Sequence, residues 1–465
     1  MGFLNELVSG FPDDKRPAFF DCSKRPQEFP FHALAADRAP ARIDIAMTFP
    51  GQCAPNALTA STWRYISALV QVKAHKNDDP FRQVAAERSK SLVQLSLAAH
   101  SLMHAHGSLA VFAIGIYGDF ARIVRFDRAG AVYSRRINIA QGGGELKILI
   151  SFLWALVNPA SVQPIPGRVV GCDQTMCPLT AEDWQWLKVR LGQIDPDTQL
   201  EDSHMDEARA ALVYNQDDAT PQRYLMYKPL DACSRLFSRG TTAWLAVRDT
   251  RPFSVPSGEL VFTVESEDVF QVRVVKETWR RLFRPAETGV YERLNAISDS
   301  RSLQGLQTML VGSDLGEREV YDPENPLGPV LEGKAHRASP LEPHAKAILH
   351  MHRLSLGPRA VEDACGVGQP LHQTFTYRQF KGREYWESER SHVRFVVSVV
   401  GKDIEEFEDT KELTEAFRDI IRGKWTCYGT RSTGSLTLYA HRSLRADNVR
   451  WSRPSGHKLL KHHDR

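Results

Sequence analysis

No two cysteines in this chain are spaced as CxxC. The seven that occur (Cys22, Cys53, Cys172, Cys177, Cys233, Cys365 and Cys427) are odd in number and scattered. That excludes a disulfide framework and a zinc-ribbon spacing, and it fits a reducing compartment. An excess of one charge is missing too: 59 Lys and Arg stand against 56 Asp and Glu. A balance of +3 gives no field that argues for nucleic acid or an anionic membrane as the main partner. Long apolar runs are absent. The most apolar stretch, ILISFLWALV at 148–157, is about half of the roughly 20 residues a spanning helix needs, so it reads as a buried helix. The start, MGFLNELVSG, lacks a basic flank, and Glu6 stands where an acylation signal wants Ser or Thr. These absences give the expectation of an intracellular protein, cytoplasmic or nuclear, with no membrane partner.

What is present is enough for two or three globular domains, with 42% hydrophobic residues over 465 positions. Residues 1–60 are rich in proline and turn formers and read as an extended arm. Residues 61–197 read as an α/β domain. In it QVAAERSKSLVQLSLAAHSLMHAHG has helical spacing and a glycine stop, and the following LAVFAIGIYG, ARIVRFDRAG and AVYSRRINIA alternate as a three-stranded antiparallel meander. DRAG supplies the tight turn, and the helix near 148–157 covers one sheet face. Residues 198–230 are acidic and turn-rich and read as a linker. In 231–465, CSRLFSRGTTAWLAVRD and VFQVRVVKETW read as strands, RRLFRPAETGVYERLNAI as a helix, 300–345 as a long loop, HVRFVVSVVG as a buried strand and EDTKELTEAFRDIIRG as a helix.

Several residues carry possible chemistry. Gly240, flanked by Arg239 and Thr241, sits in a strand–turn–strand, where a lone glycine can be only a turn residue. Lys276 ends an alternating strand; it can be a solvated lysine or one that reaches phosphate. Glu287, 11 residues on, is the candidate partner for Lys276, with Glu292 as competitor on another helix face. Val399 and Gly401 close a buried strand, where a chain can turn and offer backbone groups to a ligand. HRSLRADNV, from His441, is similar to the catalytic loop HRDLKxxN of protein kinases, with Ser443 where the aspartate belongs. His462, His463 and Asp464 read as a solvated basic tail, since adjacent histidines splay apart.

In order, these segments resemble one family, the fungal-type protein kinases, a divergent branch of the protein-kinase superfamily. Its RGTxVW stands here as Arg239 to Trp244, its VxKxxW as Val274 to Trp279, and its RxxE as Arg284 to Glu287. HxRxVxxxxGxxxxxF runs from His392 to Phe407, ELxxAxRDxIxG from Glu412 to Gly423, and HRDxSxxN from His441 to Asn448. An upstream VF…RxxRxDRxGxxxSxxxxI is matched from Val111 to Ile139. The resemblance covers roughly 60–450 and implies an α+β fold: a protein-kinase-like N-lobe with an incomplete C-lobe, preceded by the smaller α/β domain. It implies ATP and magnesium as cofactors. Lys276 would bind phosphate, Glu287 position it, and Arg239, Gly240 and Thr241 lie over the nucleotide. Val399 and Gly401 would meet adenine, His441 and Arg442 brace the loop, and Asn448 offer a metal ligand.

The departures set the functional expectation. A serine hydroxyl at 443 has no useful pKa near neutrality, and losing a general base lowers rates by roughly 10²–10⁴. No DFG follows Asn448, so the expectation is a C-terminally truncated, serine/threonine protein-kinase-like protein with impaired phosphotransfer, acting on a protein substrate. The alternative is a non-catalytic pseudokinase or fragment that works as a protein-interaction module. Whether it is an enzyme is left open between them.

Overall fold

The computed structural model describes residues 1–36, 38–50, 62–81, 89–140, 144–158, 170–194, 199–216, 220–254, 260–261, 271–282, 284–296, 308–321, 372–374, 376, 389–398, 414 and 418. The chain divides into two compact units. One comprises Met1–Gly289 with Met309–Ser398, the other Val290–Thr308 with Val399–Arg465. The fold is a mixed α+β one, and both large sheets lie in the first unit.

The first sheet is opened by α1 (Gly2–Leu7) and built from β1 (Ala18–Asp21), β2 (Ile45–Thr48), β3 (Ala68–Lys73), β4 (Ala110–Tyr117), β5 (Phe120–Asp127) and β6 (Ala131–Tyr133), in that order across the sheet, with β7 (Ile137–Asn138) also on β5. A four-residue helix, α2 (His32–Ala35), lies between β1 and β2. The meander from β4 to β6 is present. Its turn is closed by Asp127, whose Oδ1 accepts from the N–H of Ala129 at 2.9 Å and of Gly130 at 3.1 Å. α3 (Ser89–His106) connects β3 to β4, which pair in parallel, as a crossover helix requires. The helix stops at Gly107, whose φ of 60° suits a C-terminal cap. Leu95, Ala98, Leu102 and Met103 of α3 pack on Val111, Val124 and Phe126. α4 (Leu146–Val157) covers the other face, burying Leu149, Leu153 and Leu156 against Ile114, Ile116 and Ile137.

Residues 1–50 differ from the extended arm expected of them. β1 and β2 pair with each other and with β3, and Leu4, Leu7, Phe11 and Phe19 enter the core beside α4. Strands of four residues between prolines are too short to show a period, so only their neighbours in space mark them as strands. The remainder of the expected arm, 51–60, lies outside the described residues.

The second sheet is antiparallel throughout. Its strands are β8 (Met176–Pro178), β9 (Arg209–Val213), β10 (Gln222–Ala232), β11 (Thr242–Arg248), β14 (Arg273–Arg281), β15 (Met309–Asp314) and β16 (Arg390–Val397), ordered β15-β16-β14-β11-β10-β9-β8. β12 (Phe253–Ser254) and β13 (Leu260–Val261) form a separate ribbon. α5 (Ala181–Ile194) packs Trp184, Leu187 and Leu191 on Leu225 and Val247. The opposite face buries Trp244, Val275 and Val396 against Phe29, Phe31 and Met176.

Four further expectations are corrected. The acidic stretch 198–230 is no linker, because β9 and most of β10 come from it. Every residue of β9 is buried, and such a run shows no alternation to read. Nor does the upstream domain end at 197, since β8 belongs to the second sheet and α5 packs on it. The loop expected over 300–345 contains β15 and α7 (Leu315–Tyr321). The expected helix from Arg280 begins at Glu287 as α6 (Glu287–Asn295), because Arg280 and Arg281 still pair with β16 and Pro285 disfavours helix just before it. Among the described residues no helix is long and apolar enough to cross a membrane.

Candidate functional site

The turn between β10 and β11 is tied down on all sides. Gly240 has φ 52°. Its N–H donates to Ser238 Oγ at 3.0 Å, and that hydroxyl donates to the carbonyl of Arg235 at 2.7 Å. The Arg239 carbonyl accepts from Trp279 N–H at 2.6 Å, and the Thr241 and Thr278 hydroxyls lie 3.4 Å apart. Groups outside the second sheet brace the base of the turn: Arg38, just after α2, donates to the Ala232 carbonyl, and His100 Nε2 of α3 lies 2.8 Å from the Cys233 carbonyl. A Cβ on Gly240 would stand 2.8 Å from Arg128 Nε, so glycine is needed both for its backbone and for that side chain. Gly240→Ala is expected to lower stability by about 1–2 kcal/mol from the left-handed backbone alone. The readout is a lower urea midpoint at unchanged slope; an unmoved midpoint would contradict the clamp.

Lys276 lies in β14 opposite Ala243 of β11 and Phe395 of β16. Its Nζ is 2.9 Å from Glu287 Oε1 and 5.6 Å from the centre of the Phe395 ring. The pair is sheltered but not sealed, at 16% and 14% side-chain exposure. Glu287 is the first residue of α6, a position that also favours a carboxylate through the helix dipole. Glu292 is exposed. The structure thus brings together Lys276 and Glu287 and holds Arg239, Gly240 and Thr241 two to four residues from Ala243, the strand partner of Lys276. Val399, Gly401, His441, Arg442, Ser443 and Asn448 lie outside the described residues.

A second constellation, absent from the sequence reading, fills the opposite face of the same sheet. Arg394, with 0% side-chain exposure, donates to Asp173 Oδ2 at 2.6 Å, Glu277 Oε1 at 2.8 Å, Thr175 Oγ1 at 2.7 Å and the Leu212 carbonyl at 2.9 Å. Burial works to raise the Glu277 carboxyl, but the Arg394 charge and the contact with His392 outweigh it and bring the value to about 2. Burial opposes ionisation of Asp173 too, and the cations around it still hold it well below the usual carboxylate range. The available signal was spacing. His392 and Arg394 are two apart on a strand, and Glu277 follows Lys276, so alternation puts all three on the face away from the lysine. Asp173 and His372 come from distant segments and left no such mark.

The profile of one family, described as fungal protein kinase, matches residues 52–431. No curated protein and no solved structure matches the chain significantly.

Proposed function

The chain belongs to the fungal protein kinase family, and from that premise we propose that β10, β11, β14, α6, β15 and β16 are the nucleotide-binding lobe of a protein kinase. The observation that carries this reading is the Lys276–Glu287 ion pair, 2.9 Å long and joining a strand to the next helix. Kinases use such a strand lysine to hold the α/β-phosphates and a helix glutamate to aim it. The order of parts supports it: a strand, a glycine turn, a second strand, a third with the lysine, then the helix. Strand order β15-β16-β14-β11-β10 puts the last strand before the proposed hinge beside the lysine strand.

The residues fit a nucleotide triphosphate. Lys276 keeps a partly exposed side chain whose ammonium Glu287 orients. Arg239, Gly240 and Thr241 would cover the phosphates, Val399 and Gly401 would offer backbone groups to adenine, and magnesium bound through Asn448 would neutralise phosphate charge. His441 and Arg442 would brace the loop. With Ser443 at the base position, no carboxylate takes the acceptor proton, and transfer to a protein substrate is impaired. The alternative, a pseudokinase that acts by binding a protein, is favoured by that same serine and by the contacts that Arg38, His100 and Arg128 place around the glycine turn.

The test is a melting experiment on the full chain. ATP with magnesium at about 100 times Kd should stabilise the protein by roughly 2.7 kcal/mol. Lys276→Ala should abolish the shift while leaving the unliganded melting temperature nearly unchanged. No shift in the wild type would remove the nucleotide site. For transfer, Ser443→Asp should raise the rate by about 10²–10⁴; a wild type as fast as that variant would refute the impairment.

A further inference from the structure

We propose that Asp173, His372 and His392 form a structural site for a divalent transition metal of the zinc type, on the sheet face opposite Lys276. One ligand atom from each lies within 4.8 Å of the other two, and all three residues are buried. His372 Nε2 is 2.9 Å from Asp173 Oδ1, and His392 Nδ1 is 3.8 Å from Asp173 Oδ2. A tetrahedral ion with bonds of about 2.0–2.1 Å separates its ligand atoms by roughly 3.3 Å. The two distances run to different oxygens of Asp173, so a small rotation of the carboxylate and the two rings is what brings one oxygen and both nitrogens to that spacing.

His392 is the independent sign. It is 4% exposed, and its Nδ1 has no hydrogen-bond partner among the described residues. A buried ring nitrogen without a partner carries the full cost of its desolvation. The other nitrogen is engaged: Nε2 stands 3.4 Å from Glu277 Oε1. A metal-bound histidine characteristically gives its second N–H to a carboxylate, which fixes the tautomer and turns the free lone pair to the ion. Glu277 occupies that supporting place, and the Trp279 ring stacks on His392 with centres 4.7 Å apart.

Asp173 can serve while keeping Arg394, because a carboxylate has about four acceptor positions. Its Oδ1 already accepts from the N–H of Thr175 at 2.7 Å and the hydroxyl of Thr175 at 2.6 Å. The ion would displace the His372 hydrogen bond: a neutral imidazole would shift its proton to Nδ1, and a protonated one would release the Nε2 proton to solvent. A water would complete the four-coordinate shell. The bound ion would tie the turn before β8 and the segment at 372–374 to β16, so its effect is on stability and independent of nucleotide.

The experiment uses the full chain, stripped with chelator and titrated with cobalt(II). One equivalent should bind and give the visible ligand-field absorption of a four-coordinate ion. His372→Cys should keep that stoichiometry and add a thiolate-to-cobalt charge-transfer band. His372→Gln should weaken binding more than the 10–100-fold that loss of an outer-shell partner costs, so by about 100-fold or more. Replacing His457, His462 and His463 of the C-terminal stretch together by alanine should change nothing. A folded wild type that binds no cobalt overturns the proposal, as does a His372→Cys protein that binds cobalt without the new band. Loss of binding in the C-terminal variant also overturns it. The nucleotide-induced melting shift is a separate readout that none of these results touches.

Discussion

Arg394→Leu is expected to cost about 3–5 kcal/mol, because it leaves Asp173 and Glu277 as buried carboxylates with no guanidinium between them. Arg394 has 0% side-chain exposure and its ion pairs are 2.6 and 2.8 Å long; screening by water is excluded. Leucine would also remove the donor that the Leu212 carbonyl and the Thr175 hydroxyl now share, a single nitrogen of Arg394. Urea unfolding at neutral pH reads the loss. The sign of its pH dependence follows from the depressed Glu277. In the wild type a value of about 2 against an ordinary 4.5 means that the stabilisation is complete above about pH 4.5 and is lost as pH falls towards 2. In the variant Glu277 rises instead, so the difference between the two proteins should shrink on acidification from 7 to 5. A double-mutant cycle with Glu277→Gln should give a coupling of about 1–3 kcal/mol. Additive losses would mean that the pair does not interact as described.

The second large effect is acid lability in a window that the carboxylates do not share. His100 and His104 of α3 are both 3% exposed, with their Nε2 atoms 3.1 Å apart. Burial, with Arg128 nearby, pushes His100 down to about 3. Burial and the neighbouring His100 hold His104 well below its ordinary range. A folded pKa below the unfolded one means that the native state binds fewer protons, so stability is full above about pH 6.5 and declines as pH falls below it. Each such histidine contributes up to about 1.4 kcal/mol per pH unit. Two of them remove roughly 4 kcal/mol by pH 5 on that slope. His106 and His392 are lowered as well and add to the decline. The variant His100→Gln/His104→Gln should therefore about halve the slope of unfolding free energy between pH 6.5 and 5. A slope unchanged by both substitutions would show that these rings are solvated.

The parts of the site that were legible in the sequence are those in which chemistry coincides with period. Lys276 ends a visible alternation and Glu287 opens a helix 11 residues later, a separation short enough to read as strand, turn, helix. The meander of β4 to β6 was legible for the same reason, with the Asp127–Gly130 turn written into it. β1, β2 and β9 were not, because strands of four or five residues, buried on both sides or broken by proline, carry no period.

The sequence alone determined the family, the lysine strand and the helix that follows it, through local order and spacing. Only the tertiary structure decided that strands from the first 50 residues join a sheet, that strands from the acidic stretch are core, and that Asp173 and His372 meet Glu277, His392 and Arg394. Asp173 is 221 positions from Arg394. No local pattern registers such a contact, because it is selected by the loss of water from both groups at once, which happens only when the distant segments close over one face of the sheet.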